Sequence, residues 1–571
     1  MKNRKLHNIW FLNTGVLIVA LLLLAKLWYL QINKGEYYKN LAESKYIASS
    51  RETFDRGTIF FVEKSGRMIS AATVVPDYVL AIDPTKVINK ESLADKLLQI
   101  IKFDKTDFIT RASRAHDQYE EVTKHLSEKE VSGIRALGEK GIILEKNKKR
   151  FYPGGKTSAQ VLGFVASDGG NSAMLTGRYG LERYYNETLT RSGNDDSSSF
   201  FADLFLKPAS SLLFDRGSEG DLITTIEPSV QGVLERVLED DVLKKYSATS
   251  AGGIIMNPKT GEIYAMATVP SFDPNNFSKE KNQAVFANPL VDGVYEMGSI
   301  IKPLTIAAGL DAGVITSATT YDDKGFRIVN TKRIANYDGK ARGVVPMQEV
   351  LNQSLNTGTM FVEERLGKDR FRKYFKAYGL GEETGIDLPN ESVGDIRNLE
   401  SPRDIEYATA SFGQGISMTP IATIRALASL ANGGVLVTPH VVKRTEYNIG
   451  PSREFVPGSE RRVIKKETSD EISRMLTVVV DKALLGGTLK MEHYSIAAKT
   501  GTAQLVDAGE YSETDYLHTF FGYFPSYDPK FIILLTLKNP RGEAYASHTL
   551  SAPFMQITKF LLNYYEIPPD R

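Results

Sequence analysis

The stretch Gly298-Ser299-Ile300-Ile301-Lys302-Pro303 decides how the second half of this chain is read. Ser299 and Lys302, three apart, share one face of a helix and lie a single turn from each other. Pro303 fixes where that helix starts, because a proline is tolerated only in the first turn, where its missing N–H has no partner to lose. The Ser299 hydroxyl therefore stands at the positive end of the helix dipole. A serine so placed, beside a lysine whose pKa is lowered by burial or by a neighbouring cation, is an activated nucleophile for acyl transfer. Alone the hexapeptide proves nothing. Ser278-Lys279-Glu280-Lys281 has the same spacing and reads as solvated chain, and a serine at a helix start is ordinarily an N-cap.

Two further elements follow in order. Ser354-Leu355-Asn356 comes 55 residues after Ser299, and Lys499-Thr500-Gly501 begins 145 residues after Ser354. Ser354 falls between helical segments and Lys499 follows the strand residues Ile496-Ala497-Ala498. Decoys for each exist (Lys259-Thr260-Gly261 and Ser192-Gly193-Asn194), so order, spacing and context carry the argument. In those the trio resembles the penicillin-recognising serine enzymes, with their S-x-x-K, S-x-N and K-T-G on an edge strand. Tyr295-Glu296-Met297-Gly298-Ser299 resembles that family's approach to the nucleophile, with Met297 where proline is usual. Gly413-Gln414-Gly415 through Pro420 resembles its glycine-containing loop, and residues 499–503 read KTGTA, as in penicillin-binding proteins.

The first half resembles the class B, monofunctional kind. Arg56-Gly57-Thr58-Ile59 with Gly66-Arg67 is similar to that class's first motif. Arg150-Phe151-Tyr152-Pro153-Gly154 and Gly177 to Glu182 with Leu189 are similar to its later pedestal motifs. Two departures stand out. Glu63-Lys64 replaces an Asp-Arg pair in a first motif two residues longer than usual, and Glu227 stands where aspartate is usual. With these motifs placed, no glycosyltransferase domain fits before residue 250, which argues against class A.

The resemblance implies a peptidoglycan D,D-transpeptidase working through a serine acyl-enzyme. Ser299 attacks the D-Ala-D-Ala amide of a stem peptide, Lys302 is the base, Ser354 relays a proton, and Asn356 holds Lys302 and the substrate amide. Lys499 lowers the lysine pKa and attracts the substrate carboxylate, which Thr500, Gly501 and Thr502 help to bind. The oxyanion hole is formed by the backbone N–H groups of Ser299 and Thr502. The implied partners are peptidoglycan stem peptides, beta-lactams as inhibitors, the membrane, and a polytopic SEDS-type glycosyltransferase.

Composition agrees with a multidomain body. The chain has 571 residues, 42% hydrophobic and 24% charged, with 70 basic and 69 acidic side chains, so there is no basic excess for nucleic acid. It lacks cysteine, which removes disulfide scaffolds, thiolate metal sites and cysteine nucleophiles. The histidines show no close ligand spacing, so neither metal nor cofactor is expected. Residues 9–25 form an apolar run of roughly 25 Å as a helix. Lys2, Arg4 and Lys5 precede it, and Trp28 and Tyr29 suit an aromatic belt. The positive-inside rule then puts the amino terminus in the cytoplasm and the remainder outside the bacterial cell membrane, on an uncleaved single-pass anchor.

The expected organisation is a cytoplasmic tail (1–8), a transmembrane anchor (9–30), an α/β pedestal of the dimerisation type (31–245) and a transpeptidase domain (246–571). The class is α+β multidomain, with a mostly antiparallel sheet covered by helices in the last domain. There, strands are expected over 252–256, 262–267, 495–505, 519–524 and 531–537, and helices over 299–312, 346–366, 419–431 and 553–565. Residues 193–199 read as a loop, followed by an apolar strand or partner-binding hairpin over 200–206. Two other functions remain open: a D,D-carboxypeptidase or beta-lactam hydrolase, against which the large pedestal speaks, and a non-catalytic sensor of wall peptides, for which the tail is too short. Elongation and division roles are equally compatible with the residues.

Overall fold

Fifteen consecutive residues, Met68–Ile82, rich in Val, Ile, Thr and Tyr, make the longest strand of the pedestal because such side chains suit a pleated, half-buried surface. This computed structural model describes residues 26, 28, 34, 55–114, 117–167, 175–191, 219–456, 458, 461–507 and 510–571. It divides into two units, Met1–Phe54 and Asp55–Arg571. In the first, only Lys26 and Trp28, both helical, and Lys34 are described. The remainder of the expected anchor over 9–30 lies outside the described residues, as do the loop and apolar piece over 193–206. Among the described residues no helix is long and apolar enough to cross a membrane.

In the second unit, β1 (Ile59–Val62) turns back antiparallel onto β2 (Met68–Ile82). A small lobe follows: α1 (Lys90–Leu98), α2 (Lys105–Ala112), β3 (Glu120–Thr123) and α3 (Glu128–Ala136). Its helices start on Asn89, Asp104 and Ser127, whose side chains accept backbone N–H bonds, the last in a full capping box with Glu130. Leu80, Leu97, Phe108 and Ile134 form a separate core beneath them. β4 (Ile142–Phe151) returns along β2 in unbroken antiparallel register, Ile142 opposite Ile82 and Phe151 opposite Thr73. β5 (Gly220–Thr224) lies parallel to β1, and α4 (Pro228–Arg236) follows.

The catalytic part opens with β6 (Ser250–Met256) and β7 (Ile263–Val269). Next come α5 (Lys302–Asp311), a double hairpin of β8 (Thr320–Asp323), β9 (Phe326–Val329), β10 (Lys332–Ala335) and β11 (Gly343–Pro346), then α6 (Met347–Asn352) and α7 (Asn356–Leu366). After α8 (Pro420–Ala431), β12 (Val442–Tyr447) and α9 (Lys466–Val478), the chain ends in β13 (Ala497–Asp507), β14 (Glu510–Phe524), β15 (Phe531–Lys538) and α10 (Ala546–Tyr564). The main sheet is five-stranded and antiparallel throughout, in the order β13-β14-β15-β6-β7, so the strand bearing Lys499 is an edge. Opposite faces of β14 meet different helices, as alternate side chains must. Phe520 stacks on Phe554 of α10 at 4.5 Å, while Tyr523 shares a 2.8 Å hydrogen bond with Ser473 of α9.

Several boundaries differ from expectation. α10 begins at Ala546, seven residues before Pro553, which sits inside the helix. Burial of Leu550, Phe554, Ile557 and Leu561 outweighs the hydrogen bond the proline deletes. β14 begins at Glu510 rather than 519, because its polar first residues pair only with β13 and lack the apolar alternation that marks a half-buried strand. β12, well past residue 246, pairs with β5, so the pedestal sheet is completed by a strand from the catalytic part.

The two departures in the motifs have structural roles. Glu227 accepts the Val230 N–H as N-cap of α4 and also receives the Tyr564 hydroxyl at 2.7 Å. Lys64 reaches the Tyr564 carbonyl and Glu566, each at 2.7 Å. Both therefore fasten the pedestal to the end of α10.

Candidate active site

The helix that carries Ser299 begins as the proline demanded, with one refinement. Gly298–Ile301 is a single 3₁₀ turn in which the Lys302 N–H bonds to the Ser299 carbonyl, and α5 continues from Lys302 with Pro303 in its first turn. Ser299 is half-buried on this turn. Two close approaches lock the turn in place. A Cβ on Gly413 would lie 2.3 Å from the Gly298 carbonyl oxygen, while the Gly298 N–H donates to the Gly413 carbonyl at 3.1 Å. A Cβ on Gly501 would meet the Thr519 hydroxyl at 2.3 Å and the Met297 carbonyl oxygen at 2.8 Å. Both glycines are thus needed for backbone contact, and Gly413 is more than a turn.

Ser354 interrupts what the sequence suggests as one helical region: α6 stops at Asn352 and α7 restarts at Asn356. Its φ is 55°, a left-handed conformation that costs about 1–2 kcal/mol for a residue with a side chain. Non-glycine residues of this kind cluster where geometry is functionally constrained.

Three side chains from distant segments meet here. Lys302, fully buried, points its Nζ at Ser354, 2.5 Å from the carbonyl oxygen and 3.1 Å from Oγ. Lys499, also buried, lies 3.0 Å from the same Oγ and 3.0 Å from the Thr500 carbonyl oxygen. No hydrogen bond joins the Ser299 hydroxyl to Lys302 among the described residues. Such catalytic bonds often close only in the substrate complex. Burial first, and then the Lys499 charge, drive the Lys302 ammonium well below its ordinary pKa. Burial pulls Lys499 down to about 7. Both effects favour the neutral amine at Lys302, and one hydroxyl can then accept from Lys499 while donating to Lys302.

The other expected residues are placed as follows. Asn356 donates to the Ala335 carbonyl at 2.9 Å rather than to Lys302. Thr502 accepts the Ala546 N–H at 3.2 Å, leaving its own proton free to donate. Thr500 is half-buried on the edge strand, opposite Phe520. Thr502 and Gly298 touch through their backbones, for a Cβ on Gly298 would lie 2.9 Å from the Thr502 carbonyl oxygen. This brings the two segments expected to supply the oxyanion donors side by side. Sequence reasoning passed over Glu296 as a site residue. Its carboxylate accepts the Gly415 N–H at 3.0 Å and the Tyr511 hydroxyl at 3.1 Å, tying the glycine loop and the β13–β14 hairpin to the approach segment. A charged residue in an otherwise apolar lead to the nucleophile is the signal that could have found it.

Residues 251–559 match the family model for the penicillin binding protein transpeptidase domain, and residues 53–199 match the penicillin-binding protein dimerisation domain. The chain belongs to the class B penicillin-binding proteins. It is 31% identical over 549 residues to stage V sporulation protein D of Bacillus subtilis, covering 94% of this chain and 82% of that protein. It is 26% identical to the peptidoglycan D,D-transpeptidase FtsI of Buchnera aphidicola, over 87% of this chain and 85% of that one. A solved penicillin-binding protein 2X from Streptococcus thermophilus shares the fold, with a TM-score of 0.73 at 21% identity over 90% of this chain and 81% of that one. Penicillin-binding protein 3 from Mycobacterium tuberculosis, solved with aztreonam, aligns with a TM-score of 0.68 at 22% identity, over 91% and 98%. This class B protein is accordingly a serine-type peptidoglycan D,D-transpeptidase of bacterial cell-wall synthesis, built from dimerisation and transpeptidase domains.

Proposed function

We propose that Ser299 is the acylated nucleophile and that Lys302, Ser354 and Lys499 form its proton-handling system. The reading rests on one observation, the Ser354 hydroxyl lying within hydrogen-bond distance of both lysines. Neutral Lys302 takes the Ser299 proton as the oxygen attacks the carbonyl carbon of the penultimate D-alanine. The tetrahedral oxyanion forms against the Ser299 and Thr502 N–H groups, donors worth roughly 3–4 kcal/mol each. As the C–N bond breaks, Ser354 gives its proton to the departing D-alanine amine and is reprotonated from Lys302. The amine of a second stem peptide then attacks the ester, yielding the cross-link and returning a proton to Ser299. Lys499, with Thr500, Gly501 and Thr502, holds the donor's terminal carboxylate, and Asn356 steadies the substrate amide. Beta-lactams acylate the same hydroxyl because they mimic the donor.

The pedestal carries this domain above the membrane on a single-pass anchor over 9–30, with the catalytic groove outside the cell and a SEDS-type glycosyltransferase supplying the glycan strands. The test is incubation with a fluorescent penicillin, followed by peptide mapping and by release of D-alanine from a stem peptide with an amine acceptor present. A stable adduct on Ser299, absent in Ser299→Ala, is expected. An adduct on another residue, or one that water removes within minutes, overturns the transpeptidase reading in favour of none or of a hydrolase.

A further inference from the structure

The shared hydroxyl belongs to the residue with the left-handed backbone, and such a conformation persists only where its surroundings over-determine it. The residues on either side of Ser354 are gripped by one element, the double hairpin of β8–β11. Ahead of it, Arg342 Nε donates to the Gln353 side-chain carbonyl at 3.0 Å. Behind it, Asn356 Nδ2 donates to the Ala335 carbonyl. The next residue is held most firmly. The Thr357 N–H donates to Asn336 Oδ1 at 3.2 Å, and its hydroxyl donates to Asp323 Oδ1 at 2.7 Å while lying 3.1 Å from the Tyr321 hydroxyl. Asp323 is fully buried and also accepts from the Gly325 N–H at 3.0 Å and from Asn336 Nδ2 at 3.1 and 3.0 Å.

A buried carboxylate is costly unless every lone pair is used. A fully satisfied polar network fixes one arrangement of the chain against its alternatives. Here the arrangement it fixes is the start of α7, two residues past the strained serine. Nothing in the proton-transfer steps employs Asp323, Asn336 or Thr357, so their role lies in geometry.

We propose that the β8–β11 double hairpin is a positioning clamp, in which Asp323, Asn336 and Thr357 hold Ser354 so that its hydroxyl stays between Lys302 and Lys499. This rests on the reading of Ser299 as the acylated nucleophile. With the clamp loosened, residues 353–355 relax, the hydroxyl leaves one lysine, and the relay is broken while both lysines remain.

The test compares acylation of the full chain by a fluorescent penicillin across pH in wild type, Thr357→Val and Thr357→Ser. Valine keeps the shape and removes the hydroxyl; serine restores it. Thr357→Val is expected to slow acylation about ten- to a hundredfold, the effect of roughly an ångström of misplacement, and Thr357→Ser to recover most of it. The acid limb of the pH profile moves in Thr357→Val, because the Ser354 oxygens beside Lys302 have shifted. A residue that merely props the fold would lower the thermal midpoint and leave the rate and profile of the folded protein alone. If Thr357→Val unfolds, Arg342→Ala, which removes the grip on Gln353, carries the same measurement. The clamp is overturned if the folded variant acylates at the wild-type rate and profile, or if serine fails to rescue. Wild type that is never acylated on Ser299 instead overturns the reading on which the clamp depends.

Discussion

Among the described residues, the pedestal and the groove each bury a cluster of ionisable side chains, and the two differ in their chemistry. In the pedestal, Glu182 is clasped by two arginines. Arg56 Nε reaches one carboxylate oxygen at 2.5 Å and Arg150 Nε the other at 2.6 Å. The Tyr152 hydroxyl adds a third bond at 3.2 Å, Arg150 Nη1 reaches the Gly57 carbonyl, and the Arg56 Nη atoms reach the Glu182 carbonyl and Thr190. In the groove, two lysines converge on one neutral hydroxyl, and among the described residues no carboxylate faces either of them. The pedestal cluster pairs each arginine with one carboxylate oxygen and ties three separate segments together. The groove cluster is buried and leaves like charges in conflict, both of which favour the neutral form of Lys302. Opposite charges hold a scaffold together here, whereas burial and a like charge depress a lysine pKa.

Removing one member from each cluster separates the two roles. Lys302→Met deletes a buried amine that has no carboxylate partner among the described residues, so the thermal midpoint stays level or rises. Penicillin acylation of Ser299, by contrast, falls about 10²–10⁴-fold with loss of the base. A large drop in midpoint would show that Lys302 is structural after all. Glu182→Gln does the reverse. It strands Arg56 and Arg150 without a counter-ion, for a cost of about 3–5 kcal/mol in urea unfolding, while the fraction that remains folded acylates at the wild-type rate. Slower acylation in that fraction would mean that the pedestal cluster acts on the groove as well as on the fold.

The groove was legible from sequence and much of its support was not, for a physical reason. Ser299, Lys302, Ser354 and Lys499 carry their chemistry in residue type and local spacing, and a proline and a glycine mark the turns that aim them. The contacts that hold them are non-local. Asn356 meets Ala335, Glu296 meets Tyr511, and Asp323 meets Thr357, pairs that no period of 2 or 3.6 reveals. The start of α10 was misplaced because a proline reads as a boundary, whereas four buried apolar side chains carry the helix through it. The pedestal motifs were recognisable as a set, but that Arg56, Arg150 and Glu182 form a single ion cluster is a product of folding, since they lie on three separate segments.

The smallest contrast lies in how pH acts on each cluster. Burial holds the Lys499 ammonium at about 7, and unfolding returns it to the ordinary lysine value of about 10.4. Between those limits the unfolded chain binds the extra proton, so stability rises with pH, by at most about 1.4 kcal/mol per unit for one proton. Below about pH 7 both states are protonated and the cost of the buried charge is felt in full. Glu182 behaves in the mirror sense. Burial alone would raise its carboxyl, but Arg150 and Arg56 together outweigh that and hold it below the ordinary value. Its stabilisation is complete above the unfolded value of about 4.3 and is lost as pH falls through the folded one. Urea unfolding across pH therefore distinguishes the clusters within one protein. Lys499→Met lessens the slope between about pH 7 and 10 and leaves the acid limb alone, whereas Glu182→Gln lessens the acid limb alone. An alkaline slope unchanged in Lys499→Met would mean that this lysine keeps its proton across that range in the folded state, so that burial does not depress it.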